Sequence, residues 1–181
     1  TVALTVTNAI SLGAKKMSIV GSGAGGAETL TATVTMTSAS SEIEVTGADA
    51  DNIGGLTVTV SADGATIDAD INTNFTAVNM TAGQGDLVLQ IGAKTFAGPI
   101  DVNSNKLTIT EAGAGTLSAV TLDTAGGEID LNTAKTITSL TASLTSGTAT
   151  LHNGATLGGT ITLSGAGGTL LVDETGDLTN V

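Results

Sequence analysis

The feature that most constrains this chain is a repeat of about 21 residues, which is clearest between Lys106 and Leu163. Three successive stretches each contain an apolar pair, a small polar bend, one large apolar residue, a second apolar pair and a glycine turn. The stretches read KLTI–AGAGTLSAVTL, EIDL–NTAKTITSLTASL and TATL–HNGATLGGTITL. A fixed period in this range is typical of solenoids, in which each repeat stacks on the one before it. The repeat therefore predicts the fold.

From Glu42 onward the repeat can be followed in three apolar columns with a spacing of about 20 to 24 residues. The first column holds the pairs Ile43/Val45, Ile67/Ala69, Leu87/Leu89, Leu107/Ile109, Ile129/Leu131, Ala149/Leu151 and Leu170/Val172. The second holds Ile53, Phe75, Phe96, Leu117, Ile137, Leu157 and Leu178. The third holds Val58/Val60, Val78/Met80, Ile100/Val102, Val120/Leu122, Leu140/Ala142, Ile161/Leu163 and Val181. Within each pair the apolar residues alternate with polar ones, which indicates short strands with one buried side.

These columns predict an all-β chain that forms a single-domain parallel β-helix (β-solenoid) of seven or so coils. Residues 42–181 form the regular coils, and residues 1–41 form irregular N-terminal coils or a cap of the same continuous domain. Helix is disfavoured because the alternation is two-fold and glycines interrupt it about every ten residues. A β-sandwich of short strands is the rival fold, but its hairpins require no fixed period.

Composition excludes several functional classes. Only 1% of the residues are aromatic, so we expect a narrow core of stacked aliphatic side chains. Five lysines and no arginine, against 17 acidic residues, argue against binding to nucleic acid or anionic membranes. No apolar run approaches the roughly 18 to 20 residues of a membrane span. The absence of cysteine excludes disulfides and thiolate metal sites, and it is compatible with export from a bacterial cell.

The coils follow an LxV…L…VxL…G pattern and are rich in Thr, Gly, Ala and Asn. In this style of repeat they resemble the passenger regions of bacterial autotransporter adhesins and filamentous-haemagglutinin-type surface proteins. The resemblance covers residues 42–181 and rests on the style of the repeat. It implies a right-handed parallel β-helix, export to the cell surface, and a scaffold or adhesive role. The scarcity of aromatic residues is a departure from that pattern.

Acidic residues are the main candidates for a ligand site. Glu44 projects outward between two core residues, Asp68 takes the matching outward position one coil later, and Asp70 follows it. Stacked carboxylates at Glu44, Asp68 and Asp70 could hold Ca²⁺ through hard oxygen ligands, although no known calcium-loop spacing is present. The alternative interpretation is solvated surface charge. Catalysis is not expected, because no arginine or aromatic platform accompanies the acids and the only histidine, His152, has no partner in its column.

The function predicted from the sequence is that of a non-catalytic, extracellular structural protein. Both ends of the repeat carry core-type residues without a polar cap, so we expect self-association through the solenoid ends into a filament, stalk or layer. A host surface or glycan is a further candidate partner. The alternative function is that of an adhesin passenger or a ligand-binding solenoid, which would bind glycan or ice through outward Thr and Asp faces such as Thr57/Thr59.

Overall fold

In a computed structural model of the chain, every element is a β-strand. The structure describes residues 3–23, 26–48, 51–131, 135–152, 156–165 and 167–172. The strands are β1 (Ala3–Thr5), β2 (Ile10–Leu12), β3 (Lys16–Val20), β4 (Gly26–Met36), β5 (Glu42–Thr46), β6 (Asp51–Val60), β7 (Ala65–Ala69), β8 (Asn72–Asn74), β9 (Ala77–Met80), β10 (Leu87–Gln90), β11 (Thr95–Asp101), β12 (Lys106–Ile109), β13 (Thr116–Leu131), β14 (Thr136–His152), β15 (Thr156–Ser164) and β16 (Thr169–Val172).

The strands stack as a parallel β-solenoid, as the repeat predicts, and the solenoid has about six turns. Each strand pairs in parallel with the strand one coil away, so the backbone hydrogen bonds run along the solenoid axis. The pair Ile43 and Ile67 lies 24 residues apart, and the pair Leu87 and Leu107 lies 20 residues apart, which matches the predicted coil length. Short apolar–polar alternation with Val, Ile and Thr favours strands, because each side chain alternates between core and surface.

The predicted columns have the correct inward side wherever their side chains are described, but the register of the first column was wrong at two steps. Leu89, not Leu87, lies beside Ile67, and Leu151, not Ala149, lies beside Ile129. Both errors are shifts of two residues. A shift of two keeps every side chain on the same side of the strand, because strand side chains alternate with a period of two. The third column has the predicted pairing, from Val58 and Val78 to Leu140 and Ile161.

The core is a narrow stack of Ile, Val, Leu, Met and Ala side chains. Its two phenylalanines, Phe75 and Phe96, meet edge to face with ring centroids 5.2 Å apart. The predicted register of the second column was wrong at Phe75, because Thr73 is the residue that lies beside both Ile53 and Phe96 in the ladder. Thr73 is 1% exposed, and its hydroxyl has no hydrogen-bond partner.

Charge is distributed unevenly around the solenoid. The outward side of β3, β5, β7, β10 and β12, which we call the acidic face, carries Lys16, Glu42, Glu44, Asp68, Asp86 and Lys106. A second side of the solenoid carries an outward row of mostly neutral residues, and we call this side the hydroxyl face. It is formed by β9 and by parts of β4, β6, β11, β13 and β14. That row is Thr35, Thr59, Asn79, Asp101, Thr121 and Thr141. One solenoid therefore presents two chemically different surfaces.

The N-terminal strands stack on the regular coils in the same parallel manner, β1 and β2 on β4 and β3 on β5. The proposed division at residue 42 stays a prediction. Leu178 and Val181, which the sequence places in the core columns, lie outside the described residues. No helix that could cross a membrane occurs in the part of the chain that the structure describes.

Candidate functional site

The candidate site lies on the acidic face, where outward side chains of successive coils come directly beside one another. The register places Glu42 and Glu44 of β5 beside Thr66 and Asp68 of β7. Neighbouring strands in a sheet are about 4.8 Å apart, so carboxylates at matched positions are forced close together. The predicted proximity of Glu44 and Asp68 is confirmed.

Lys16 of β3 neutralises the first part of this face. Its Nζ atom lies 3.0 Å from Glu42 Oε1 and 2.5 Å from Glu44 Oε1. Ser18 also donates its hydroxyl hydrogen to Glu44, at 3.0 Å. The hydrogen bonds from Lys16 and then Ser18 hold the pKa of Glu44 below its usual value. Glu44 therefore already has two partners within the chain, which makes it a poor free ligand for a metal ion.

The same arrangement recurs further along the face. Lys106 of β12 lies beside the Glu128-Ile129-Asp130 segment, as Lys16 lies beside Glu42-Ile43-Glu44. The Nζ atom of Lys106 is 2.6 Å from Glu128 and 3.4 Å from Asp130. The hydrogen bond with Glu128 is the main reason that the pKa of Lys106 is raised. Exposed pairs of this kind each stabilise the fold only slightly, but they neutralise the acids that they contact.

Between these two lysine-neutralised segments lies a second acidic group, which we call the acidic triplet: Asp68, Asp70 and Glu111. One carboxylate oxygen from each residue lies within 4.8 Å of the others. Glu111 belongs to a coil two turns further on, and it crosses the intervening coil at Gly92. Its Oε2 atom lies 3.3 Å from the position that a β-carbon would occupy at Gly92. The missing side chain at Gly92 therefore leaves the space through which Glu111 approaches Asp70.

Asp68 is the electrostatically strained member of the triplet. Its Oδ1 atom is buried and has no hydrogen-bond partner. Burial, followed by the negative charges of Asp70 and Glu111, raises the pKa of Asp68 above its ordinary value. Glu42 and Glu44 act in the same direction, more weakly. The ionised form of Asp68 is thus disfavoured in the folded chain, which is what an added cation would relieve.

The acidic triplet has the ligand chemistry that Ca²⁺ takes. Calcium binds 6–8 oxygen ligands at roughly 2.3–2.6 Å, so carboxylate oxygens within 4.8 Å of one another can share one ion. Glu42, Glu44 and Asp68 form a second group of this size, but Lys16 already bonds the two glutamates of that group. If calcium binds here, the better position is Asp68, Asp70 and Glu111. The prediction made from the sequence, that Glu44, Asp68 and Asp70 together bind calcium, stays a prediction.

Sequence reasoning missed Glu111 because nothing in the local sequence connects it with Asp68. The two residues are 43 positions apart, and only the stacking of three coils brings them together. The signal that was present is the glycine at position 92, which removes a side chain from the outer surface between them. His152 is the final residue of β14, and its side chain lies outside the part of the chain that is described.

Comparison with protein-family models, curated proteins and solved structures found no significant match to this chain.

Proposed function

We propose that the chain is a non-catalytic, extracellular structural protein, a β-solenoid subunit that associates end to end into a bacterial surface filament, stalk or layer. The observation that carries this proposal is the open N-terminal end of the described solenoid. There β1 and β2 pair only with β4, and β3 pairs only with β5. Each of these three strands has one edge without a strand partner among the described residues, and such edges are templates for pairing with another chain.

The end is apolar as well as unpaired. Leu4 is 59% exposed and Val20 is 69% exposed, and both contribute to the cleft at this end, where Val20 projects outward beside Thr46 of the next coil. Between β1 and β3 lies a cleft of about 180 Å³, whose apolar lining consists of Leu4, Ile19, Val20, Leu30 and Ile53. Covering these side chains with the interior of another coil would remove apolar surface from water, at about 25 cal/mol for each Å².

Charge favours association along the axis over association side by side. The chain has a formal net charge of −12. Two acidic faces brought side by side would repel each other. The carboxylates on or beside this face are those of Glu42, Glu44, Asp68, Asp70 and Asp86. The cleft at the end is lined mainly by apolar groups, with Glu28 as its one charged residue. Contact between an N-terminal end and a C-terminal end is heterologous, and repetition of such a contact builds an open filament.

The test combines negative-stain electron microscopy with sedimentation of the purified chain over a range of concentrations. We expect long, uniform fibres with the width of one solenoid. Val20→Lys places a charge on the exposed end and should abolish the fibres while leaving the circular dichroism spectrum unchanged. Val88→Lys is the matched control, because Val88 projects from the acidic face in a middle coil, and its fibres should persist.

Two outcomes would remove the filament proposal. One is a strictly monomeric chain at the highest soluble concentration. The other is fibre formation that Val20→Lys leaves intact, because the contact would then lie elsewhere on the surface.

The second candidate function is ligand binding by the hydroxyl face, as in an adhesin passenger or a glycan- or ice-binding solenoid. The observation that favours it is the row of Thr35, Thr59 and Thr121, which runs along the axis on a surface with little charge. Asn79 and Asp101 interrupt the row. A glycan array tests sugar binding, and thermal hysteresis tests ice binding. A Thr59→Lys variant should lose whichever activity is present, and negative results in both assays would exclude this candidate.

A further inference from the structure

Lys135 is a cation in the interior of the solenoid. Its side chain is 0% exposed, although lysine is almost never fully buried without a partner. The Nζ atom donates hydrogen bonds to the backbone carbonyl oxygens of Gly92 and Gly113, the second at 2.8 Å. These two glycines belong to the two coils before that of Lys135, so one ammonium group connects three successive coils at one corner.

The corner leaves room for this side chain because its residues are small. Earlier coils fill the same corner with the buried side chains of Ile71 and Ile91. The next coil has Ala112, Gly113, Ala114 and Gly115 there, with no large side chain. A β-carbon at Gly115 would lie only 2.6 Å from the carbonyl oxygen of Gly92, so the close approach of the two turns depends on glycine.

The two carbonyl groups converge at the corner for reasons independent of Lys135. Gly92 has a φ of 47° and Gly113 a φ of 128°, a backbone conformation that residues with side chains rarely adopt. Regular ladder bonds flank the corner, from Thr116 N to the carbonyl of Lys94 and from Thr136 N to the carbonyl of Gly115, both at 3.0 Å. The backbone therefore holds both oxygens in place, as the oxygen ligands of a cation site are held.

The electrostatic surroundings agree with this arrangement. Burial lowers the pKa of the Lys135 ammonium below its usual value, and the negative charge of Glu111 acts in the opposite direction. Glu111 lies beside Gly92, at the same turn whose carbonyl oxygen accepts from Lys135.

We propose that the carbonyl groups of Gly92 and Gly113 form a binding site for a small monovalent cation, a primary ammonium ion or an ion of similar size, and that the Lys135 ammonium fills this site from within the chain. The site is separate from the open N-terminal end, and it adjoins the acidic triplet where Glu111 lies beside Gly92. It predicts that removal of the lysine side chain creates a protein that binds small ammonium ions.

The experiment measures thermal unfolding of the full-length Lys135→Ala chain by circular dichroism. Two carbonyl groups lose their donor, so we expect the unfolding midpoint to fall by roughly 5–15 °C. Ethylammonium chloride at about ten times its dissociation constant should return about 3–6 °C of that loss. Tetramethylammonium chloride at the same ionic strength has no N–H donor and should return none. Potassium chloride shows whether a metal cation also fits.

Lys94→Ala is the matched control, because Lys94 occupies the same register position two coils earlier and is partly exposed. Its stability should not respond specifically to ethylammonium. A Lys135→Ala chain as stable as the wild type would overturn the proposal. So would a destabilised variant that no cation rescues, because Lys135 would then act through packing alone.

If Lys135→Ala does not fold, the wild-type chain itself supplies the decisive measurement. A proton–nitrogen correlation spectrum of lysine ammonium groups should show one slowly exchanging signal, which is absent from Lys135→Arg. Ammonium protons at Lys135 that exchange as fast as those of the exposed Lys15 would overturn the assignment.

Discussion

Asp68→Asn is the substitution that tests the electrostatics of the acidic triplet most directly. It removes the negative charge while it keeps the shape of the side chain. Asp68 loses no hydrogen bond at Oδ1, because that atom has no partner in the folded chain. The substitution removes the repulsion between Asp68 and the negative charges of Asp70 and Glu111. Burial, followed by these two charges, raises the pKa of Asp68. We therefore expect Asp68→Asn to stabilise the protein at neutral pH.

The magnitude follows from the short distances within the triplet, whose carboxylate oxygens lie within 4.8 Å of one another. Like charges this close cost about 0.2–1 kcal/mol for each pair, as they do across a sheet, and partial exposure keeps the value low. The variant should thus gain about 0.5–1 kcal/mol in the free energy of unfolding at pH 7, a rise of about 2–4 °C in the midpoint. A raised carboxyl pKa disfavours the folded state when the group is ionised. The advantage of the variant should therefore shrink as pH falls through the folded pKa and vanish below the unfolded value of 3.8.

Thermal unfolding of both chains between pH 3 and pH 8 is the assay, and Asp63→Asn is its control with the opposite sign. Asp63 Oδ1 accepts N–H hydrogen bonds from Gly85 at 2.7 Å and Asp86 at 3.1 Å, which lower the pKa of Asp63. Its ionised form therefore stabilises the fold above the unfolded pKa, and that stability is lost as pH falls through the folded value. Asp63→Asn should destabilise the chain at pH 7.

Calcium separates the two interpretations of the triplet. If Ca²⁺ binds at Asp68, Asp70 and Glu111, its addition should raise the unfolding midpoint of the wild type, and Asp68→Asn should reduce that rise. If the triplet is only solvated charge, calcium should change both midpoints equally. An Asp68→Asn chain that is less stable than the wild type at pH 7 in the absence of calcium would refute the reasoning about repulsion.

Three further substitutions test the core, and Gly13→Ala is the control for one of them. Thr73→Val replaces a buried, unpartnered hydroxyl with a methyl group and should raise the free energy of unfolding by about 1–2 kcal/mol in urea titration; any loss of stability would contradict it. Gly98→Ala places a β-carbon 2.7 Å from the carbonyl oxygen of Phe75 and should cost about 1–3 kcal/mol in the same titration. Gly13→Ala, with nothing within 4 Å, should cost less than Gly98→Ala. Ile129→Asp buries an unpaired charge at a fully buried position and should cost more than about 4 kcal/mol, read as loss of soluble folded protein; full solubility with unchanged unfolding would contradict it.

The solenoid could be predicted from the sequence because its fold is a local rule repeated along the chain. One side of each short strand is buried, as at Ile43, Ile67 and Leu89. The number of residues between these positions is the length of one coil. The exact register could not be predicted from the sequence. Either Leu87 or Leu89 can lie beside Ile67 with equivalent burial of apolar surface, so the hydrophobic pattern does not choose between the two registers. Corner lengths decide between those two alternatives, and corners of small residues have no strong sequence signal.

The candidate site was only half predictable for a related reason. The pairing of Glu44 with Asp68 follows from the period alone, since both lie outward at matched positions. The involvement of Glu111 depends on the lack of a side chain at Gly92, in the coil between Asp68 and Glu111, and the neutralisation of Glu44 depends on Lys16 in the coil before it. Each of these is a contact between coils that the period does not specify.

The sequence by itself determined the class of fold, the inward side of its strands and the aliphatic character of its core, because apolar alternation and a fixed period act through every coil alike. Only the tertiary structure decided which charges are neutralised, which carboxylates gather into the acidic triplet, and that Lys135 is inside rather than at the surface. These depend on single side chains and on the space left by glycines one or two coils away. Stacking brings residues tens of positions apart within a few ångströms of each other, and that is where the distinctive chemistry of this solenoid arises.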